Sequence, residues 1–471
     1  MRKTIKGVVG AVCLLTALNV APGISWADER AVSWADCGDG LRCGDIAVPA
    51  DWADPTGARI KLGLAMLPAQ DQTTKKGVLL VNMGGPAQQI SVLHQAKDAF
   101  ADLTRWFDVV VWDPRGFEAS TGIECPYQAP IPDNAEWVFP DRAAYEKYRT
   151  ANRRFGIDCT RVAGPLAGTL NSWHVARDMD AIRAALGEAR LNYFGNSYGT
   201  VFAQAYAEFF PRRISRMYLD SVVDHTARSW PDWLLPRAQT MERNLGRFAE
   251  WCAGESTCAL HGRDVLAVWD EVITRATREP IPAPGEGTTV SAARIVSRTH
   301  PAFDEAWPDL ALSLAEAHAG DATRFAAQPI GGRDPDLSRI MFCGDFPYPS
   351  HYQVLKSWET ELREVTPRIG WAVTWTMAYH CAGLPVTRTY PPHRLHVRGL
   401  PPVLVASGEY DSTTPPLDAR RVAAQLGNAR YLPTKGGHAL YLSGHPCVRD
   451  HVHRYLTTGA LPPEGTACGV A

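Results

Sequence analysis

A serine flanked by two glycines, Gly195-Asn196-Ser197-Tyr198-Gly199, follows the short apolar run 191–194 and leads straight into an amphipathic stretch, 201–210, that Pro211 stops. A strand, a very short turn and a helix leave this part of the chain little choice. The glycines let the backbone turn sharply and pack closely, so that the serine Oγ projects above a sheet edge. G-x-S-x-G alone is common by chance. The strand before it and the helix after it give it weight.

The rest of the chain supplies the sheet that such a turn needs. Runs rich in Val, Ile and Leu at 60–66, 77–83 and 107–112, bounded by Gly, Pro and Asp, read as strands. Within 173–186, Val175, Met179, Ile182 and Leu186 fall on one helical face. Strands alternating with helices predict an α/β architecture: a mostly parallel sheet with helices on both faces. The alternation continues through a strand at 216–219 and lapses between 224 and 401. That stretch is rich in Trp, Pro and Arg, with helical segments such as 237–251 and 310–318. The pattern resumes with 402–406, a helix at 417–426 and a strand at 429–432. Connections inside α/β units are usually about 2–6 residues, so the lapse is a large, mainly helical insertion. The expected organisation is the first part of the core at 28–224, an inserted cap at 225–400 and the C-terminal part of the core at 401–471.

Residues 1–27 stand outside this plan. Arg2, Lys3 and Lys6 precede an apolar run at 8–20, Pro22 and Gly23 interrupt it, and Ser25-Trp26-Ala27 offers a cleavage site. This is the pattern of an export signal removed near Ala27, and it is too short for a spanning helix, which needs about 20 apolar residues. Cys13 lacks the preceding small residue of a lipid-anchored signal. Of eleven cysteines, Cys13 leaves with the signal, and the even number remaining in an exported chain is expected to pair. Proximity suggests Cys37 with Cys43, Cys125 with Cys159, Cys252 with Cys258, Cys343 with Cys381 and Cys447 with Cys468, although spacing does not fix connectivity. A zinc site is the competing use, but no tight CxxC pair or HExxH helix occurs. A formal net charge of −2 provides no basic stripe for nucleic acid. No later segment looks membrane-spanning and no C-terminal sorting motif is visible, so a freely secreted monomer is expected.

A serine hydroxyl is a weak nucleophile without a positioned base, and the base needs a carboxylate to fix its tautomer. After a G-x-S-x-G turn the expected chain order is serine, acid, histidine. Asp411, in Gly408-Glu409-Tyr410-Asp411, and His438, in Lys435-Gly436-Gly437-His438, each follow a strand and are the candidates. Glu409 is the rival acid, and His445, His451 and His453 are rival bases beside the terminal cysteines. A tetrahedral intermediate needs two donors aimed at its oxyanion. Tyr198 N–H is the first, and the loop Asn82-Met83-Gly84-Gly85-Pro86 offers Gly85 as the second. Asp113-Pro114-Arg115-Gly116 ends the next strand at the same edge, where Arg115 is expected to clamp loops through bidentate hydrogen bonds. Together these residues point to acyl transfer to water, with no cofactor and no metal.

The motifs and their order resemble the secreted tripeptidyl aminopeptidases, proline iminopeptidase-related α/β-hydrolases with a characteristic TAP-like C-terminal segment. The resemblance runs nearly end to end. Beyond the residues above it includes 37–49, Ala176-Arg177-Asp178-Met179-Asp180, Tyr206-Ala207, Phe210-Pro211, Leu219-Asp220, Tyr455-Leu456, Gly459, Leu461-Pro462 and Cys468. It implies the α/β-hydrolase fold and a serine peptidase that releases short peptides, tripeptides above all, from free N-termini, with the cap limiting how much substrate enters. Such an enzyme needs acidic groups for the substrate ammonium, since an unpaired buried charge is costly. Asp224, Asp345 and Glu118 are the candidates. Two departures bear on this. Related chains continue the glycine loop as GGPG with a further Ser-Gly, where this chain has Ala87-Gln88-Gln89, and they carry glycine where Glu118 stands. An ester or specialised amide substrate is therefore the alternative. A binding protein that kept the fold without catalysis is a third reading, against which the complete set Ser197, Asp411 and His438 argues.

Overall fold

Nine strands order themselves around the apolar runs. The computed structural model describes residues 31–132, 136–302, 304–327 and 336–469, so the expected export signal lies outside the described residues. The strands are β1 (Ala35–Asp36), β2 (Arg42–Pro49), β3 (Arg59–Leu67), β4 (Val78–Asn82), β5 (Asp108–Trp112), β6 (Leu191–Asn196) and β7 (Ile214–Asp220). After a two-stranded hairpin, β8 (Ile281–Ala283) and β9 (Thr288–Val290), come β10 (Val403–Gly408) and β11 (Ala429–Thr434). The main sheet runs β1-β2-β3-β5-β4-β6-β7-β10-β11. Pairing is antiparallel from β1 to β5 and parallel from there on. This is the α/β-hydrolase arrangement that the sequence predicts.

Every residue of β4, β5, β6 and β10 is buried, as expected for parallel strands covered on both faces. Alternation then decides which layer each side chain joins. Leu80, Val110 and Tyr193 pack with Val175, Met179 and Ile182 of the helix Ser172–Ala185 and with Val201 of the helix Gly199–Phe209. Leu79, Val81, Val109 and Phe194 pack on the opposite side with Val448 and Val452 of the helix Pro446–Thr458. β1 and β2 are not legible as strands in the sequence. β2 lies between the two-residue β1 and β3, with Arg42, Asp45 and Ala47 exposed, and its pairing with β3, Ile46 opposite Leu62 and Val48 opposite Ile60, reveals its inward face.

β4 lies between β5 and β6. The chain therefore leaves β5 on one side and returns at β6 on the other, which opens a crevice beyond the carboxyl ends of the strands. The ends Asn82, Asn196, Asp220 and Gly408 all lie at that edge, with Asn196 opposite Asp220 and Asp220 opposite Ala406. Between β7 and β10 the chain forms a helical layer with its own core, including Trp269, Leu314 and Trp375. Tyr145 and Tyr148, from the earlier helix Arg142–Ala163, join that core. Among the described residues five disulfides pair neighbours along the chain: Cys37–Cys43, Cys125–Cys159, Cys252–Cys258, Cys343–Cys381 and Cys447–Cys468. Bonds of this kind persist in oxidising environments. Among the described residues, no helix is long and apolar enough to cross a membrane.

One buried ion pair ties this edge together. Arg115 grips both oxygens of Asp178 at 2.8 and 2.7 Å and donates to Ala50 O at 2.6 Å, with both charged side chains wholly buried. Trp52 Nε1 completes the carboxylate at 2.8 Å. Removing one partner of such a pair leaves a bare buried charge. Asp178→Ala is expected to lower stability by about 3–5 kcal/mol, read as a fall in the urea unfolding midpoint.

Candidate active site

Ser197 follows β6 in a left-handed conformation, φ +51°. Its N–H donates to Asp220 O at 3.0 Å, and its carbonyl accepts from Thr200 N at 2.9 Å and Thr200 Oγ1 at 2.6 Å. The turn can be this tight because the first helical residue is glycine. A Cβ on Gly199 would sit 2.7 Å from Asn82 Oδ1 and 2.8 Å from Asn82 O.

His438 Nδ1 lies 2.7 Å from Asp411 Oδ2. An ionised carboxylate can only accept, so Nδ1 carries the proton and Nε2 is the free acceptor. Asp411 is buried, and its oxygens also accept from Thr413 N and Thr414 N, both at 2.9 Å, and from the Thr414 hydroxyl. Burial disfavours the charge on both partners. For His438 the charge and hydrogen bond of Asp411, with the charge of Asp220, outweigh burial and raise its pKa. For Asp411 the interactions with His438 and Thr414 likewise outweigh burial and lower it. Glu409, the rival acid, is exposed, and His453, a rival base, bonds the Tyr441 hydroxyl. His451 stands beside Cys447 and Cys468, whose sulfurs bond each other and are unavailable to a metal.

Asp220, the last residue of β7, links the histidine loop to the serine. Its carboxylate accepts from Leu440 N at 3.3 Å and Tyr441 N at 2.8 Å, while Ser221 Oγ accepts from Ala439 N at 2.8 Å. Three consecutive N–H groups after His438 are thus bound to the strand end whose carbonyl holds Ser197 N–H.

The glycine loop after β4 comes up against the serine from the other side. A Cβ on Gly84, at φ +111°, would lie 2.8 Å from Ser197 Cβ. Gln89, the apparent departure in this loop, turns out to organise it. Its carboxamide donates to Gly84 O at 2.9 Å and Ala87 O at 2.8 Å and accepts from Met83 N at 2.6 Å, while its own N–H donates to Asp113 Oδ1 at 2.6 Å. Gly84 N–H goes to Asn82 Oδ1 at 3.0 Å. Among the described residues, Gly85 N–H and Tyr198 N–H have no acceptor, whereas their neighbours Met83, Gly84 and Ser197 do.

The three candidate ammonium ligands fare differently. Asp345 is fully buried, with Ser172 N at 2.8 Å, Ser172 Oγ at 2.5 Å and Tyr198 OH at 2.7 Å, and burial pushes its pKa up to about 7. Asp224 is also fully buried, accepting from Thr226 N at 2.7 Å and Thr226 Oγ1 at 2.6 Å, with Arg421 3.7 Å away. Both Asp345 oxygens are taken by neighbouring donors, whereas Asp224 receives both Thr226 donors on Oδ1 and keeps Oδ2 buried, facing Arg421 and without a hydrogen-bond partner among the described residues. Glu118 is exposed, at φ +26°. Sequence reasoning missed the anchoring roles of Asp220 and Gln89. An aspartate directly after the apolar run Met217-Tyr218-Leu219 was the available signal for the first, and nothing local marked the second.

The fold and this arrangement define a hydrolase of the α/β class. The α/β-hydrolase fold family matches residues 77–271, and the family described as TAP-like protein matches 366–468. The tripeptidyl aminopeptidase of Streptomyces coelicolor is 28% identical over 485 residues, covering 96% of this chain and 88% of that protein. The serine protease Hip1 of Mycobacterium tuberculosis is 30% identical over 468 residues, covering 91% and 87%. Carboxylesterase B of the same species is 29% identical over 476 residues, covering 95% and 90%. The chain belongs to this family of α/β hydrolases with a TAP-like C-terminal segment.

The contact at Gly84 is testable. In Gly84→Ala the methyl would meet Ser197 Cβ in a backbone conformation that favours glycine. Labelling of the serine by a fluorophosphonate is expected to slow at least about tenfold, while the far-UV circular dichroism stays that of the parent.

Proposed function

We propose that the chain is an exported serine peptidase that releases short peptides, with tripeptides the leading expectation, from free N-termini. Residues 28–224 and 401–471 form its catalytic body and 225–400 its cap. The single observation that carries the reading is the 2.7 Å His438–Asp411 pair on a loop bound to Asp220, the residue whose carbonyl holds Ser197. His438 Nε2 takes the Ser197 Oγ proton as Oγ attacks the substrate carbonyl. Gly85 N–H and Tyr198 N–H, neither of which has an acceptor among the described residues, receive the oxyanion. His438 then protonates the leaving amine, and water, deprotonated by the same imidazole, hydrolyses the acyl-enzyme. Asp411 stabilises the imidazolium throughout. Of the three carboxylates considered for the substrate ammonium, Glu118 is the one with an exposed side chain. The peptide preference rests on the tripeptidyl aminopeptidase and Hip1 relatives.

The second reading keeps the chemistry and changes the substrate to an ester, on the strength of the carboxylesterase relative. A tripeptide amide with a free N-terminus, its N-blocked twin and a short acyl ester separate the two. Turnover of the free tripeptide alone, abolished in Ser197→Ala, is the expected result. Preference for the ester or the blocked peptide overturns the aminopeptidase reading.

The pH profile follows from the His438 shift. The base must be neutral, so kcat/KM is expected to fall with acid through an apparent pKa above the ordinary imidazole value of about 6.5. In Asp411→Asn the acid limb should move down and kcat should fall by about 10³–10⁴.

A further inference from the structure

We propose that the cap helix Asp336–Asp345 is the outer brace of the oxyanion site, with Ser338 and Asp345 as positioning residues that fix the loops carrying Gly85 N–H and Tyr198 N–H; this inference rests on the hydrolytic reading above. An oxyanion site works because its donors are fixed before charge develops, so small displacements are costly. Here the two donors come from separate loops, after β4 and after β6. Each is secured from the sheet side, by Gln89 and Asn82 for the first and by Thr200 for the second. One helix meets both from above.

Ser338 and Asp345 stand seven residues apart, two turns, and so share a helix face. The Ser338 hydroxyl donates to Pro86 O, immediately after Gly85. Asp345 accepts from Tyr198 OH at 2.7 Å and from Ser172 N and Oγ of the core. Between them on the same face, Met341 is fully buried and Phe342 packs against the Tyr198 ring at 6.1 Å. The stripe 338, 341, 342, 345 is the i, i+3, i+4, i+7 pattern of a helix docked along its length.

The helix is in turn held by the cap. Arg339 donates to Pro130 O at 2.9 Å, to Tyr148 OH at 3.0 Å and to Tyr379 OH, and Cys343 is bonded to Cys381. The cap therefore acts on the chemistry as well as on substrate entry. Its packing is transmitted to both donors through two side chains that need not touch substrate.

The test is kinetic, on the full mature enzyme with whichever substrate it turns over in a Ser197-dependent manner. Ser338→Ala removes the bond to Pro86 O, and Tyr198→Phe removes the bond to Asp345 while keeping the backbone N–H. Each is expected to lower kcat about tenfold with KM within about twofold, since the contacts matter for the transition state rather than for binding. Ser338→Thr, which keeps the hydroxyl, should restore most of kcat, and Ser357→Ala, on an exposed cap helix, should leave it unchanged. Loss of thermal stability with unchanged kcat, or a rise in KM alone, overturns the brace while leaving the hydrolase reading intact. Absence of any Ser197-dependent turnover in the parent overturns both.

Discussion

The site hangs on the hydrogen bonds of one buried carboxylate, that of Asp220. It closes β7 in the interior, where a charge is expensive unless its lone pairs are filled. Burial pushes its carboxyl up against the bonds that favour ionisation, from Tyr441 N–H and Ser221 Oγ among others. Because β6 and β7 are paired in register, the residue that receives the histidine loop also receives Ser197 N–H on its carbonyl. The Ser197 turn and the His438 loop, more than two hundred residues apart in sequence, are thereby referred to a single Cα. Displacing this residue would disturb both at once and leave buried N–H groups unpaired, at a cost of about 1–3 kcal/mol each.

A second layer of order comes from buried charges that face one another. Arg237 stacks on Trp233 at 3.3 Å and meets Asp418 at 2.5 Å, while Asp224 N–H donates to the same carboxylate at 3.3 Å. Two carboxylates near one guanidinium cannot both ionise freely. Burial, together with the charge of Asp224, pushes Asp418 up to about 7 despite Arg237. This network joins the helix Trp230–Gly254, the first of the helical layer between β7 and β10, to the helix Pro416–Leu426, which follows the Asp411 loop. The insertion is thus attached to the core by paired polar groups as well as by apolar packing.

Much of the frame was legible because its signals are local. The parallel strands read as apolar runs, the helix Ser172–Ala185 as one apolar face, and the cysteines as neighbours. His438 and Asp411 could be placed because each follows a strand in the expected order, and the structure sets them 2.7 Å apart. What escaped the sequence depends on what stands opposite in space. A glutamine next to a glycine loop gives no sign that its carboxamide will turn back and span that loop. The carboxylates of Asp345 and Asp224 look exposed on paper, yet both are buried, and the donors that reach them, Ser172 and Tyr198 for the first and Thr226 for one oxygen of the second, stand elsewhere in the chain or in the same turn. β2 is a strand only in the company of β3.

The disulfides carry a consequence for how such a chain is made. Among the described residues their partners follow one another strictly along the sequence, and no bridge encloses or crosses another. A polypeptide emerging into an oxidising compartment N-terminus first would find, at each stage, that the nearest unpaired thiol behind a new cysteine is the correct one. For the described cysteines, the order of appearance then matches the native connectivity. The chain has little need of thiol shuffling to reach it.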